Sequence, residues 1–239
     1  MSFHKLPFRE YHLLAILQLH DLSPLPLDLL ISNYFRAHSA LGSKDRAYIA
    51  DTLYSLVRWK RLLDAHLVEP TWSQRLALYQ TQPIESLQAK ATLSLAEKWS
   101  FPDELFQLLL NEYGEEKAAV LASISNTPAP ATVRVNTLKI SREELFKKWE
   151  QNYSVALCPI AKDGIVFNIK THFFSMPDFT SGYFEIQDEG SQLLADLMDP
   201  KPGNWALDYC AGSGGKTLAF APKMGGKGQI FLHDVRKTV

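Results

Sequence analysis

Cysteine is scarce: Cys158 and Cys210 are the two in 239 residues. They sit in dissimilar settings, which excludes a disulfide framework and suits a reducing compartment, the cytoplasm. No run approaches the ~20 consecutive apolar residues of a membrane span. No apolar core behind a basic start marks a secretory leader. Excess charge of one sign is also missing. The net charge is −1, so contact with nucleic acid must come from a local patch rather than an overall field. None of the seven histidines lies three or four residues from another, and no Cys-x-x-Cys occurs. That leaves no recognisable zinc site. Internal repeats and low-complexity tracts are absent too.

What remains is ordinary for a globular protein, 46% hydrophobic and 21% charged, with one stretch that organises the rest. Trp205–Tyr209 is a short apolar run containing Asp208, the composition of a buried strand reaching its carboxyl end. Gly212, Gly214 and Gly215 permit a tight turn where a ligand can approach bare backbone. Thr217–Lys223 reads as the start of a helix, stopped by Gly225-Gly226. A second apolar run, Gln229–Leu232, leads to Asp234, an acid 20 residues beyond Gly214. Strand, glycine turn, helix, strand and acid make half of a nucleotide-binding α/β unit. Turn amides can hold a polar ligand group, and a carboxylate at the second strand end can accept ribose hydroxyls. The tail Gly215-Lys216-Thr217 suggests a P-loop, but that motif needs a glycine where this chain has Cys210. His233 beside Asp234 is a candidate base, although a histidine at a strand end more often packs or bonds locally.

Asp208-Tyr-Cys-Ala-Gly-Ser-Gly-Gly-Lys-Thr217 resembles the S-adenosylmethionine-binding motif of the Sun/Fmu-type RNA 5-methylcytosine methyltransferases. Gln187-Asp-Glu-Gly-Ser-Gln-Leu193 resembles the segment that precedes it in that family, and Pro130-Ala-Thr-Val-Arg-Val-Asn-Thr137 extends the likeness upstream. The family turn usually carries alanine and proline where this chain has Gly212 and Ser213. The resemblance implies S-adenosylmethionine as cofactor, held by Cys210, Ala211, Gly212, Ser213, Gly214, Gly215, Lys216 and Asp234. It implies RNA, ribosomal or transfer, as partner. It also places Gln187 or Asp188 near the reacting centre, although capping of the following helix is a sufficient structural role for Asp188.

Residues 1–126 read as a helical bundle. Leu13, Leu14, Ile16, Leu17 and Leu19 form one apolar segment, ended by Ser23-Pro24. Pro26 opens a helix through Ala37. Ser43 is expected to cap a long helix to about His66, and further helical patterns follow at 83–99, 102–113 and 115–125. Basic residues cluster in this part: Arg36, Lys44, Arg46, Arg58, Lys60 and Arg61. Arg58-Trp59-Lys60-Arg61 interleaves an aromatic with cations, a pattern able to hold phosphates and stack a base. The competing reading is a solvated helix face with the tryptophan in the core, which composition alone favours. The family resemblance adds weight to RNA binding, because relatives carry a helical domain similar to an antiterminator module.

Asn126-Thr-Pro-Ala-Pro130 is a natural boundary. Beyond it, 127–182 reads as a small α+β module: strands at 131–135, 155–157 and 165–169, and a helix over Ser141–Glu150 with Glu144 completing a capping box. In the family this region is similar to an RNA-contacting platform, which makes Arg134 and Asn136 candidates for RNA contact. Residues 183–239 begin with a strand at Tyr183–Ile186 and a helix over Glu189–Met198, whose expected core stripe is Leu193, Leu194, Leu197 and Met198. The expected fold is therefore α + α/β: helical bundle, α+β module, then the start of a Rossmann-like S-adenosylmethionine-dependent methyltransferase domain.

The family's chemistry requires a cysteine that adds to C6 of cytosine and a second that assists release. Both lie in motifs beyond the ribose-binding acid, one of them Pro-Cys, and neither occurs before Val239. Cys210 belongs to the cofactor turn. Cys158 precedes Pro159, the reverse order. No residue is therefore assigned a catalytic role, and the chain alone is expected to be inactive. It is either a truncated enzyme or one whose missing half comes from a separate chain. A non-catalytic RNA-binding module is the alternative. A dehydrogenase-like dinucleotide site is disfavoured, since only one half-unit exists.

Overall fold

The computed structural model describes residues 6–236, which fall into two compact units, Met1–Pro128 and Ala129–Val239. The first is helical. Helix α1 (Phe8–Leu22) begins after Pro7 and stops at Ser23-Pro24, and α2 (Leu27–Ala37) begins after Pro26. Proline suits both helix starts because its missing N–H would be unpaired there anyway. Leu13, Leu14, Ile16 and Leu17 of α1 pack with Leu30 and Ile31 of α2 and with Ile49, Leu53 and Leu56 of α3 (Ser43–Arg58). Each such side chain contributes roughly 1.5–3 kcal/mol by leaving water.

Two expectations change within α3. Gly42, not Ser43, is its N-cap, and the Asp45 carboxylate reaches back to the Gly42 N–H at 3.3 Å. The helix does not run to His66. It breaks at Trp59 (φ −97°, ψ 12°) and resumes as α4 (Lys60–Asp64). Helix α5 (Trp72–Thr81) was not anticipated, although Thr71 and Gln74 form a reciprocal capping box. The continuous helix expected over 83–99 is two short ones, α6 (Ile84–Gln88) and α7 (Leu95–Lys98), because Ser94 caps a new start with Glu97. Helix α8 (Asp103–Ser125) is kinked at Gly114, whose φ of 76° is left-handed. Among the described residues no helix is long and apolar enough to cross a membrane.

The second unit contains two sheets. Strands β1 (Ala131–Val135), β2 (Val155–Leu157), β3 (Gly164–Phe167) and β4 (Phe184–Ile186) form an antiparallel sheet in the order β2-β3-β1-β4. Helix α9 (Arg142–Trp149) covers it, capped by Ser141 and Glu144 as expected. Its core is Val133, Val135, Leu145, Trp149, Ile165, Phe167 and Phe184. Trp149 Nε1 donates to Asp178 Oδ2 at 2.9 Å from the short helix α10 (Pro177–Thr180). Strand β4, assigned from sequence to the third segment, pairs with β1 in this sheet.

Helix α11 (Glu189–Met198) follows, with Asp188 accepting from Ser191 N at 2.8 Å as its cap. Its expected core stripe is corrected. Gln192 and Ala195 are buried, while Leu194, Leu197 and Met198 are exposed. The helix meets β1 and α12 (Gly215–Phe220) on its Gln192 side, and periodicity alone cannot say which side finds a neighbour.

Strand β5 (Trp205–Asp208), α12 and β6 (Gln229–Leu232) form a strand–turn–helix–strand unit, with β5 and β6 parallel. Ala206, Phe220, Met224 and Ile230 make its small core. The opposite face, carrying Trp205, Leu207 and Phe231, is exposed.

Candidate functional site

The turn after β5 is built by local polar bonds. Asp208, buried at the strand end, accepts from Thr217 Oγ1 at 2.7 Å, tying β5 to α12. Ala211 N donates to His233 O and His233 N to Asp208 O, which extends the strand pairing by one step. Gly212 (φ 52°) and Gly214 (φ 85°) take left-handed backbone that a side chain would strain. Gly214 N closes the turn on Ala211 O at 2.7 Å.

Cys210, Ala211, Gly212, Ser213, Gly215 and Lys216 line one cleft of about 520 Å³, together with Gln187, Asp188 and Ser191 from the β4–α11 junction and with Arg236. Gly214 is the hinge of the same turn.

Asp234 is held where the second strand delivers it, and its carboxylate is occupied. Oδ2 accepts from Gly212 N at 2.8 Å and from Arg236 Nη2 at 3.1 Å, and Oδ1 accepts from Arg236 N and Nε, both at 2.9 Å. The Arg236 guanidinium and these amides hold its pKa well below the usual carboxylate range. Arg236 is a site residue that sequence reasoning missed. The available signal was its position two residues beyond the acid.

Neither cysteine is placed as a nucleophile. Cys158 is buried, and desolvation, with help from Glu189, pushes its thiol up to about 11. That disfavours the thiolate. Glu189 Oε1 accepts from Ile160 N and Ala161 N, so the loop after Cys158 is pinned to α11. Cys210 is exposed, in the turn.

Arg134 and Asn136 lie at and beyond the end of β1 and line a second cleft of about 360 Å³ with Glu185, Leu218 and Pro222. Arg134 is buried. Its Nε donates to Gln187 Oε1 at 2.8 Å, and its Nη2 has no hydrogen-bond partner. Desolvation lowers its pKa, opposed by Glu185 and Asp163. Asn136 shapes a turn, donating to Gly182 O at 2.9 Å and accepting from Leu138 N.

The six cations of the helical unit do not converge. Lys44 and Arg46 sit at the start of α3 and Arg58 at its end, roughly 20 Å apart at 1.5 Å per residue. Arg61 is committed to Phe101 O at 2.8 Å and Asp103 at 2.5 Å. Arg46 donates to Leu41 O and Arg36 to Asn33. Trp59 packs against the core, while Trp72 lies beneath Lys60 and Arg75. Lys44, Arg58 and Lys60 carry the least committed charge.

A family model described as the RsmF/B-like methyltransferase ferredoxin-like domain matches residues 101–172. A protein named "Probable ribosomal RNA small subunit methyltransferase B" from Synechocystis sp. is 33% identical over 144 residues, covering 59% of this chain and 32% of its own. Its Bacillus subtilis namesake is 34% identical over 149 residues, covering 60% and 32%. The chain thus matches about a third of the length of these curated relatives. A solved methyltransferase homolog protein from Pyrococcus horikoshii is 30% identical with TM-score 0.54, covering 62% of this chain and 49% of that one.

Proposed function

This chain belongs to the Sun/Fmu-type RNA 5-methylcytosine methyltransferase family, and from that membership we propose that its residues bind S-adenosylmethionine and ribosomal RNA for methylation of a cytosine. The observation that carries the proposal is the single cleft shared by the Cys210–Lys216 turn and the Gln187–Ser191 junction, beside Asp234. The residues fit such a cofactor. Bare backbone from Gly212 to Gly215 admits close approach, Lys216 offers positive charge, and Asp234 lies where a ribose is expected. When bound, the cofactor supplies the methyl group. Arg236 must release part of its hold before Asp234 can accept hydroxyls, since a carboxylate has about four acceptor sites and all are engaged.

RNA would meet Lys44, Arg58 and Lys60 through phosphates, which position a substrate without reading its sequence. A local rather than global attraction agrees with the net charge of −1. Neither described cysteine is assigned the attack on C6: one is buried with a raised pKa, and the other is read as part of the turn. These residues therefore bind and orient, and methyl transfer by this chain alone is expected to be absent. Transfer of labelled methyl from S-adenosylmethionine to small-subunit ribosomal RNA tests this. Counts at background, together with measurable cofactor binding by equilibrium dialysis, support it. Turnover that disappears in Cys210→Ala would overturn the assignment of that cysteine to the turn.

A further inference from the structure

Gln187 is nearly buried, 8% exposed, and lines the cleft opposite the glycine turn. Its main chain is fixed: the N–H donates to Thr132 O at 3.2 Å, and its carbonyl accepts from Gln192 Nε2 at 3.0 Å. Its side chain is fixed on one side only. Arg134 Nε donates to Oε1 at 2.8 Å. A guanidinium has donors and no acceptor, so the amide oxygen must face Arg134 and the –NH2 must face away. The surroundings agree, because a methyl group added at Gly215 would meet Gln187 Nε2 at 3.6 Å. The free end of the amide thus stands over the turn.

Among the described residues Nε2 has no hydrogen-bond partner. The residue is buried as a whole, but this nitrogen opens into the cleft, where a ligand can reach it. The acidic groups around the cleft are engaged elsewhere: Asp188 with Ser191 N and Oγ, and Asp234 with Gly212 and Arg236. Lys216 lines the same cleft, within electrostatic reach of Asp188 but in no contact ion pair among the described residues. An unfilled amide donor beside an ammonium without a contact partner suits an anion with planar acceptors. Of the groups on an adenosyl amino acid, the carboxylate alone meets that description.

We propose that Gln187 and Lys216 receive the carboxylate of the cofactor's amino-acid end, and that Arg134 is the positioning residue that keeps the Gln187 amide turned toward it. The proposal rests on the reading of this cleft as the cofactor site. It makes Arg134 act through Gln187, 53 residues away in sequence, rather than through contact with ligand.

The test uses the whole chain and two nucleosides, S-adenosylhomocysteine and 5′-methylthioadenosine, which lacks the amino-acid end. Calorimetry should show tighter binding of the first. Gln187→Glu keeps an acceptor for Arg134 but turns a carboxylate toward the ligand. It should lower affinity for S-adenosylhomocysteine about tenfold and leave methylthioadenosine unchanged. Arg134→Met should erase the preference in a folded protein, and Arg134→Lys should restore most of it. In the wild-type chain, the side-chain amide resonance that disappears in Gln187→Glu should shift with S-adenosylhomocysteine and not with methylthioadenosine. If both ligands bind the wild type and weaken equally in the variant, or that resonance stays still, Gln187 is not the carboxylate reader although the cleft is a nucleoside site. If neither nucleoside binds the wild type, the cleft reading fails and this assignment fails with it.

Discussion

Asp234 and Arg236, two residues apart, close on each other beside the glycine turn, the arginine donating from its main chain and from both ends of its guanidinium. The same carboxylate braces the turn through Gly212 N. Under the proposed cofactor reading, ligand binding and turn bracing would compete for one group, with Arg236 as the part that gives way. Arg236→Ala should raise adenosine affinity about two- to fivefold, the scale of an exposed ion pair. Asp234→Asn should lower it and also loosen the turn. Calorimetry on both variants checks this, and weaker binding by Arg236→Ala would mean that the arginine itself holds ligand.

The helical unit should soften in mild acid. His12 is buried, 2.8 Å from the Tyr34 hydroxyl, with its ring 5.3 Å from that of His38. Burial first, and the His38 charge second, hold its pKa below 6.5, while Asp45, paired with Arg9, pulls the other way. A depressed folded-state pKa means that the contribution is complete above pH 6.5 and is lost as pH falls toward the folded value. The urea midpoint of the chain should drop between pH 7 and pH 5, and His12→Gln should flatten that part of the dependence. An identical slope in the variant would assign the effect to other groups.

The two thiols should separate cleanly by reactivity. Cys210 is exposed and Cys158 buried, with its pKa at about 11. At pH 8 a chromogenic disulfide should modify Cys210 quickly and reach Cys158 only on unfolding. Because the folded pKa of Cys158 lies above its ordinary value, its stabilising share is intact below about pH 9 and declines as pH rises through 11. Rapid reaction of both thiols in the native chain would show that the β2–β3 loop opens.

RNA affinity should depend on Lys44, Arg58 and Lys60 more than on Arg61. Replacing the first three by alanine should reduce the salt slope of binding by about one for each phosphate left without its cation. Arg61→Ala should instead lower stability, since that side chain joins α4 to Phe101 and Asp103. A filter-binding titration across salt concentrations separates the two effects.

Much of this architecture was legible in the chain. The helix start after Pro26, the Ser141–Glu144 capping box, the Gly114 interruption and the turn from Cys210 to Lys216 are local signals, and local physics decides them. The capping box at Thr71–Gln74 was equally legible and marks the helix that periodicity overlooked. Burial on α11 was not legible. Leu194, Leu197 and Met198 form an apolar stripe, but which side of a helix is covered depends on partners distant in sequence. Pairings such as Arg134 with Gln187, or Trp149 with Asp178, belong to the same class. The first follows from the β1–β4 register and the second from two helices meeting, and no short window contains either.

The exposed face of β5 and β6 bears on how such a protein is made. Once β5, α12 and β6 have all been made, the strands pack on Phe220 and Met224 and leave Trp205, Leu207 and Phe231 on the other side. Until something lies over them, they present a sticky aromatic surface beside open strand edges, the sort of site that holdase chaperones grip and that nucleates clumping when protein is abundant. Expression at lower temperature, or alongside such chaperones, should then raise soluble yield more than any change to the helical unit.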